Sequence, residues 1–359
     1  MQGPHIGAIA LFMAALGGSA AAQNARPSAL PPDAVPAAAR EATGAPAAAI
    51  IVTRPDGPVF IASDGSRIAG GDAAPGPGDP WHVGSNAKAM TATLALALEA
   101  EGAIALPDSV LEVLGRRFEV HEAWGAVTLE DLLRHEGGVQ PNADRLTMMR
   151  YILAPTEDAA GAQEARRAVL RRLLKAPPKG RIGEFAYSNL GYTLAGEMLS
   201  AAGGAPYETL MEEKVFGPLG MEGVVLGAPG PIRGHKGRPA KPSPKGADNP
   251  AFMAPAGTWS LPLHAYAAFL TDQLRGQMDL PGTLLPLAAY DAMATSRPGS
   301  GYGLGWGVTA DGSLIHSGSN TMWFATARIM PEAGEAAAIL TNSGEPLDWT
   351  AILEAAARQ

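Results

Sequence analysis

The sequence predicts an α/β (α+β) fold: one antiparallel sheet flanked by terminal helices, with an all-helical lobe inserted between the halves of the sheet. Three observations lead there. Strand-like segments lie near both ends, at residues 47–62 and 302–341. Helical periodicity, punctuated by prolines and glycines, fills the middle. The 359 residues, 47% hydrophobic and 17% charged, suffice for one two-lobed domain with a substantial core. Joining the two ends in one sheet is the economical way to bury both sets of strands. An α/β lobe then takes residues 31–80 and 285–359, and a helical lobe takes residues 81–284.

Along the chain, residues 6–16 form an apolar run too short to span a bilayer. Small residues follow, ending in an Ala-x-Ala pattern near Ala22. Residues 1–22 thus read as a secretory leader, although no Lys or Arg precedes the apolar run, and the expected location is periplasmic or secreted. The remaining residues, 23–359, form the folded domain, introduced by a Pro/Ala/Ser-rich tether over 23–36. Residues 47–53 and 58–62 read as strands joined by a turn at Pro55-Asp56-Gly57. A helix starts near Ser85 and runs through Met90, Leu94 and Leu98 to Glu101, where Gly102 stops it. Further helical patterns cover 129–135, 163–174, 192–202, 206–216 and 261–273. The tail carries strands at 302–308, from 314 onward, at 322–330 and at 336–341, then a closing helix at 347–357.

Residues 230–250 are Pro/Gly-rich and hold Arg233, Lys236, Arg238, Lys241 and Lys245, with no acid before Asp248. The plain reading is a solvated surface loop; the functional one is attraction of a carboxylate-bearing substrate.

Composition excludes several classes of function. A net charge of −8 argues against nucleic-acid binding. The absence of cysteine removes thiolate nucleophiles, disulfides and Cys-ligated zinc, and suits an oxidising compartment. There is no His-Glu-x-x-His pattern, so neither metal nor cofactor is expected. The glycines at 301, 303, 305 and 307 recur every second residue and open no helix, unlike a dinucleotide fingerprint. Neither Ser85 nor Ser319 sits in Gly-x-Ser-x-Gly, which excludes a conventional α/β-hydrolase. A monomer without stable membrane insertion, acting on a small molecule or peptide, is the expectation.

Three short motifs carry the chemistry. The first is Ser85-Asn86-Ala87-Lys88. With 16 Ser and 7 Lys, about 0.3 Ser-x-x-Lys matches arise by chance, so context must strengthen it. Here Gly84 precedes the serine and a helix starts, so Lys88 shares a helix face with the Ser85 hydroxyl. A serine needs a base, and a buried lysine becomes one by losing its proton. The second motif, Tyr187-Ser188-Asn189, offers a phenol to relay a proton and an amide to hold a substrate carbonyl. The third, His316-Ser317-Gly318, ends a strand; Gly318 permits close approach, and His316 either polarises Tyr187 or pairs with a carboxylate. His135 reads as a structural loop residue, and Trp259, Trp306 and Trp323 as core residues or cleft walls.

This order of motifs resembles the serine β-lactamase/penicillin-binding family, above all its class C β-lactamase and DD-carboxypeptidase branch with related D-peptidases and esterases. The likeness covers about residues 45–345 and includes Leu132-Leu133-Arg134-His135-Glu136-Gly137-Gly138, Gly217-Pro218-Leu219-Gly220-Met221, Tyr302-Gly303-Leu304-Gly305-Trp306 and Leu340-Thr341-Asn342. It implies a β-lactamase/DD-peptidase-like fold and a hydrolase that forms an acyl-enzyme on Ser85. Lys88 and Tyr187 would move the proton, with His316 in place of the lactamase Lys. Asn189, Ser317, Gly318 and Ser319 would bind substrate, and the backbone N–H groups of Ser85 and Ser319 would form the oxyanion hole. Histidine in the third motif points to peptidase or esterase activity over lactamase activity. Gly137 stands where the family usually has Ser, and Asn320 to Trp323 suggest a bulky pocket wall. The alternative is a wall-peptide sensor that is acylated without turnover.

Overall fold

The computed structural model describes residues 26–156 and 158–358; the expected leader lies outside them. A six-stranded antiparallel sheet has the order β2-β1-β11-β10-β9-β8. Its strands are β1 (Ala47–Arg54), β2 (Gly57–Gly65), β8 (Gly307–Val308), β9 (Leu314–Ser319), β10 (Phe324–Met330) and β11 (Glu335–Thr341). The two ends of the chain meet where β1 pairs with β11, in the register Ile50↔Ile339. Pro55 and Asp56 form the turn between β1 and β2, since Arg54 pairs with Gly57.

The longer helices are α1 (Ala34–Thr43), α2 (Ala87–Ala100), α3 (Arg145–Leu153), α4 (Ala159–Leu173), α5 (Asn189–Gly203), α6 (Leu263–Gln277), α7 (Leu287–Ala294) and α8 (Trp349–Ala356). Alternation along the strands serves two cores. On one face Ala48, Ile50, Val52 and Ile339 pack with Val35 and Ala39 of α1 and with Ile352 and Leu353 of α8. On the other, Ala47, Ala49, Ile51, Ala325 and Ala338 join the main core, and α6 lies against β1 and β2. Alanines on that face leave room for a helix to lie close. Both faces are covered, so β1 reads as an unbroken apolar run.

The lobe between β2 and β8 is built around α2 and α5, each buried along most of its length. To its helices the structure adds a three-stranded antiparallel sheet, β3 (Pro80–His82), β7 (Trp259–Pro262) and β4 (Val225–Leu226). The segment expected as helix from 261 is therefore strand until Pro262, and α6 begins at Leu263. Helix α1 starts inside the expected tether. In the loop over 230–250 a short hairpin forms from β5 (His235–Lys236) and β6 (Lys241–Pro242). The expected strand over 302–308 shrinks to β8, because Gly303 N donates to Trp306 O (2.8 Å) and folds residues 302–306 into a turn. Gly137 has a steric reason: a β-carbon there would lie 2.9 Å from Leu132 Cδ2.

One ion cluster is buried inside this lobe. Arg166, fully buried on α4, donates to both Glu208 oxygens at 2.9–3.0 Å and faces Glu197, which Arg167 also holds at 2.8 Å. Removing the guanidinium would strand the buried Glu208 carboxylate, while Glu197 keeps Arg167. Arg166→Ala is expected to lower unfolding stability by about 3–5 kcal/mol in denaturant titration; a loss below about 1 kcal/mol would show that the cluster is dispensable.

Candidate active site

Ser85 sits in a single 3-10 turn, Gly84–Asn86, that leads into α2. Strand β9 crosses this turn at backbone contact. A β-carbon on Gly318 would lie 2.4 Å from Ser85 N, and one on Gly84 would lie 2.6 Å from Ser319 N. Gly84 also has φ 53, in the left-handed region. The two glycines thus bring the amides of Ser85 and Ser319 side by side. Asn86 ties the turn to the sheet, its Nδ2 donating to Val83 O (2.8 Å) and to Ala325 O on β10 (3.2 Å).

Lys88 is fully buried. Its Nζ lies 3.0 Å from Ser85 Oγ, 2.8 Å from Asn189 Oδ1 and 2.6 Å from Ala256 O. None of these partners is an acid, and burial holds the amine well below its ordinary 10.5. The faces of Tyr187 and Tyr192, 4.8 and 5.4 Å from Nζ, favour the ammonium form. Each such contact contributes about 2 kcal/mol when desolvated, against about 4–7 kcal/mol for full burial of an unpaired cation, and the net shift is downward. Burial wins. A neutral amine has two hydrogens and one lone pair. The carbonyl oxygens of Asn189 and Ala256 can only accept, so they take the hydrogens. The lone pair is left for the Ser85 hydroxyl.

Tyr187 is hydrogen-bonded to the Ser85 side chain, and burial raises its phenol above the usual value of 10.0. Its ring lies against His135 at 4.2 Å between centroids. His135 is buried, with φ 62, and its Nδ1 accepts from Ser188 N at 3.1 Å. Its role is therefore to support the motif that carries Tyr187. Asn189 opens α5; its Nδ2 donates to Asn142 Oδ1 at 2.9 Å while its Oδ1 serves Lys88.

His316 is buried on β9, 6.5 Å from the Tyr187 ring between centroids. Its Nδ1 faces Ser317 O at 3.0 Å and its Nε2 faces the Tyr302 hydroxyl at 3.1 Å. A carbonyl cannot donate, so Nδ1 carries the proton and Nε2 accepts. Burial is the main cause that lowers His316 to about 3, so it is neutral at ordinary pH. Of the other residues expected in the site, Ser317 donates its hydroxyl to Thr326 Oγ1 at 3.1 Å. Ser319 Oγ donates to Trp323 O at 2.8 Å.

A second network, not read from the sequence, lies behind the serine turn. Gly84 N donates to His82 Nδ1 at 3.1 Å. His82 Nε2 meets Asp248 Oδ2 at 3.1 Å, and Asn320 Nδ2 donates to Asp248 Oδ1 at 2.6 Å. Asn320 Oδ1 accepts from Met322 N and Trp323 N at 3.1 and 3.2 Å. His82 stacks on Trp323 with 5.4 Å between centroids. This network ties the residue before Ser85 to the residue after Ser319. Trp323, like Trp259 and Trp306, is thus a buried core residue and not a pocket wall. The one signal in the sequence was Asp248, the first acid after five cations. Among the described residues, no group of three or more His, Asp or Glu is arranged to hold a metal ion, and no helix is long and apolar enough to cross a membrane.

Comparison with known proteins agrees with this architecture. The family described as Beta-lactamase matches residues 33–357. A curated relative, penicillin-binding protein 4 of Amycolatopsis lactamdurans, is 25% identical over 323 residues, 80% of each chain. Two solved structures share the fold. The octameric penicillin-binding protein homologue of Pyrococcus abyssi superposes with TM-score 0.69 at 21% identity, covering 89% of this chain and 74% of that one. A D-stereospecific amidohydrolase from Streptomyces sp. superposes with TM-score 0.69 at 23% identity, covering 90% and 98%.

His82→Phe would keep the stacking on Trp323 but leave the Gly84 N–H without its acceptor and Asp248 Oδ2 without its imidazole partner. The expected result is a stability loss of about 1–3 kcal/mol and slower labelling of Ser85 by a fluorophosphonate. Wild-type labelling rates would contradict the view that this network holds the serine turn.

Proposed function

This chain belongs to the β-lactamase family, and we propose that it is a serine hydrolase that forms an acyl-enzyme on Ser85 with amide or ester substrates. The observation that carries the reading is the Lys88 amine, buried without an acid, 3.0 Å from Ser85 Oγ and tied by two carbonyl acceptors.

Neutral Lys88 takes the Ser85 proton as the Oγ–carbon bond forms. The N–H groups of Ser85 and Ser319 receive the oxyanion. Such donors typically contribute about 3 kcal/mol each. Opposite shifts divide the labour: burial lowers Lys88 and raises Tyr187. Lys88 is therefore the base, and Tyr187 remains a phenol that passes the proton to the leaving nitrogen or oxygen as its bond to carbon breaks. A water then attacks the ester carbon, its proton returns to Ser85 Oγ through the same pair, and the acid departs. His316 acts through hydrogen bonding and adds no cation. That supports small D-amino-acid amides or short esters over β-lactams and free D-Ala-D-Ala termini, since the carboxylate on the leaving group of either would find no lysine in the third motif.

Intact-mass analysis with a chromogenic ester tests this. Ser85→Ala should abolish both the adduct and turnover, and Lys88→Ala should slow acylation by about 10²–10⁴-fold. Ser319→Ala should be mild, because Ser319 acts through its backbone. Turnover surviving in Ser85→Ala would refute the assignment. One equivalent of release with a lasting adduct would instead make the protein a sensor.

A further inference from the structure

The loop over 230–250 does not leave its five cations equivalent. Arg233 Nη1 donates to Ser243 O at 2.8 Å, and Arg238 donates to Ala42 O. These two hold the loop in place. Lys236, Lys241 and Lys245 instead line one cleft of about 790 Å³, and among the described residues none of them has an acidic partner. The described wall contains one acid, Asp248, and its carboxylate is already held by His82, Asn320 and the backbone N–H of Asn249. Ser243, whose buried hydroxyl has no partner, lines the same cleft. Three unmatched ammonium groups around a concave space, on a chain of net charge −8, form a local reversal of sign.

The cleft adjoins the catalytic strand at a particular end. Asn320 and Thr321, the two residues after Ser319, form part of its wall. Tyr187 lies toward His316, three residues earlier on that strand. A substrate whose carbonyl oxygen rests on the amides of Ser85 and Ser319 must present its leaving group to Tyr187. The part that stays on the serine then runs the other way, past Thr321 into the cleft.

The geometry points to a subsite for a carboxylate on the acyl portion of the substrate, held by Lys236, Lys241 and Lys245. This rests on the acyl-enzyme reading and narrows it: the preferred acyl donors are half-esters or half-amides of dicarboxylic acids, or acidic peptides, with the free acid several bonds from the scissile carbonyl.

The test compares 4-nitrophenyl monoesters of glutaric and suberic acid with their methyl-capped diesters, with intact-mass detection of the Ser85 adduct. The expected result is a kcat/KM ratio of acid to capped ester of about tenfold or more at low salt. The ratio should fall as ionic strength rises, since exposed charges are screened over about 10 Å at 0.1 M. It should approach one in the combined variant Lys236→Gln, Lys241→Gln, Lys245→Gln, and fall part of the way in each single variant. A ratio near one in the wild type, with the capped esters turned over, sinks the subsite and leaves the hydrolase reading standing. So does a preference that survives the triple variant, or one that appears only for a carboxylate placed on the leaving group. Failure of every ester to label Ser85 sinks the acyl-enzyme reading, and the subsite with it.

Discussion

The site depends on one unfavourable act of burial. Lys88 is placed where water does not reach and no carboxylate compensates it, among a serine hydroxyl, an amide oxygen and a main-chain carbonyl. An ammonium group in such a place loses its hydration without a counter-ion, so the neutral amine is favoured. Between the depressed folded value and 10.5, the unfolded chain binds a proton that the folded chain does not. Stability therefore rises with pH across that window. The fold accepts this penalty and directs the lone pair of the amine at Ser85.

The rest of the architecture keeps that arrangement dry and rigid. Helices α2 and α5 bring Lys88 and Asn189 together, and β9 closes on the serine turn through two glycines. Polar links then fix the strands and loops against each other. Asn86 reaches β10, and His82 with Asp248 and Asn320 joins the turn to the end of β9 and to the cationic loop. His235 fastens the same loop to the sheet, facing Asn342 O at 2.8 Å and accepting from Ala69 N at 3.0 Å. The cationic cleft is thus fastened to the end of β9 by the network that also ties down the turn carrying Ser85.

Much of this was legible in the sequence, for a local reason. Ser85 and Lys88 lie one helical turn apart, Tyr187 and Asn189 share one helix start, and His316 and Gly318 share one strand, so short spacing encoded their geometry. The two-ended sheet was legible because β1 and β11 carry apolar runs, residues 47–52 and 336–340, close to Pro and Gly turns. What escaped lacked such a signal. The apolar residues of helix α3, Leu146, Met148, Met149, Tyr151, Ile152 and Leu153, are spread around its circumference, so no single stripe marks it. Residues 259–262 are too few for a period to separate strand from helix. His82, Asp248 and Asn320 are joined only by tertiary contact, across as many as 238 positions of chain. The sorting of the five cations into two anchors and three cleft residues likewise depends on where the hairpin folds.

The most direct measurement is the titration of Lys88 itself, followed through the ¹³C shift of its Cε in protein labelled at lysine, with Lys88→Arg to assign the signal. The account predicts an amine that loses its proton well below 10.5, without a matching acid titrating beside it. A Lys88 signal that stays ammonium-like up to its ordinary value would contradict it, because no base would then face Ser85.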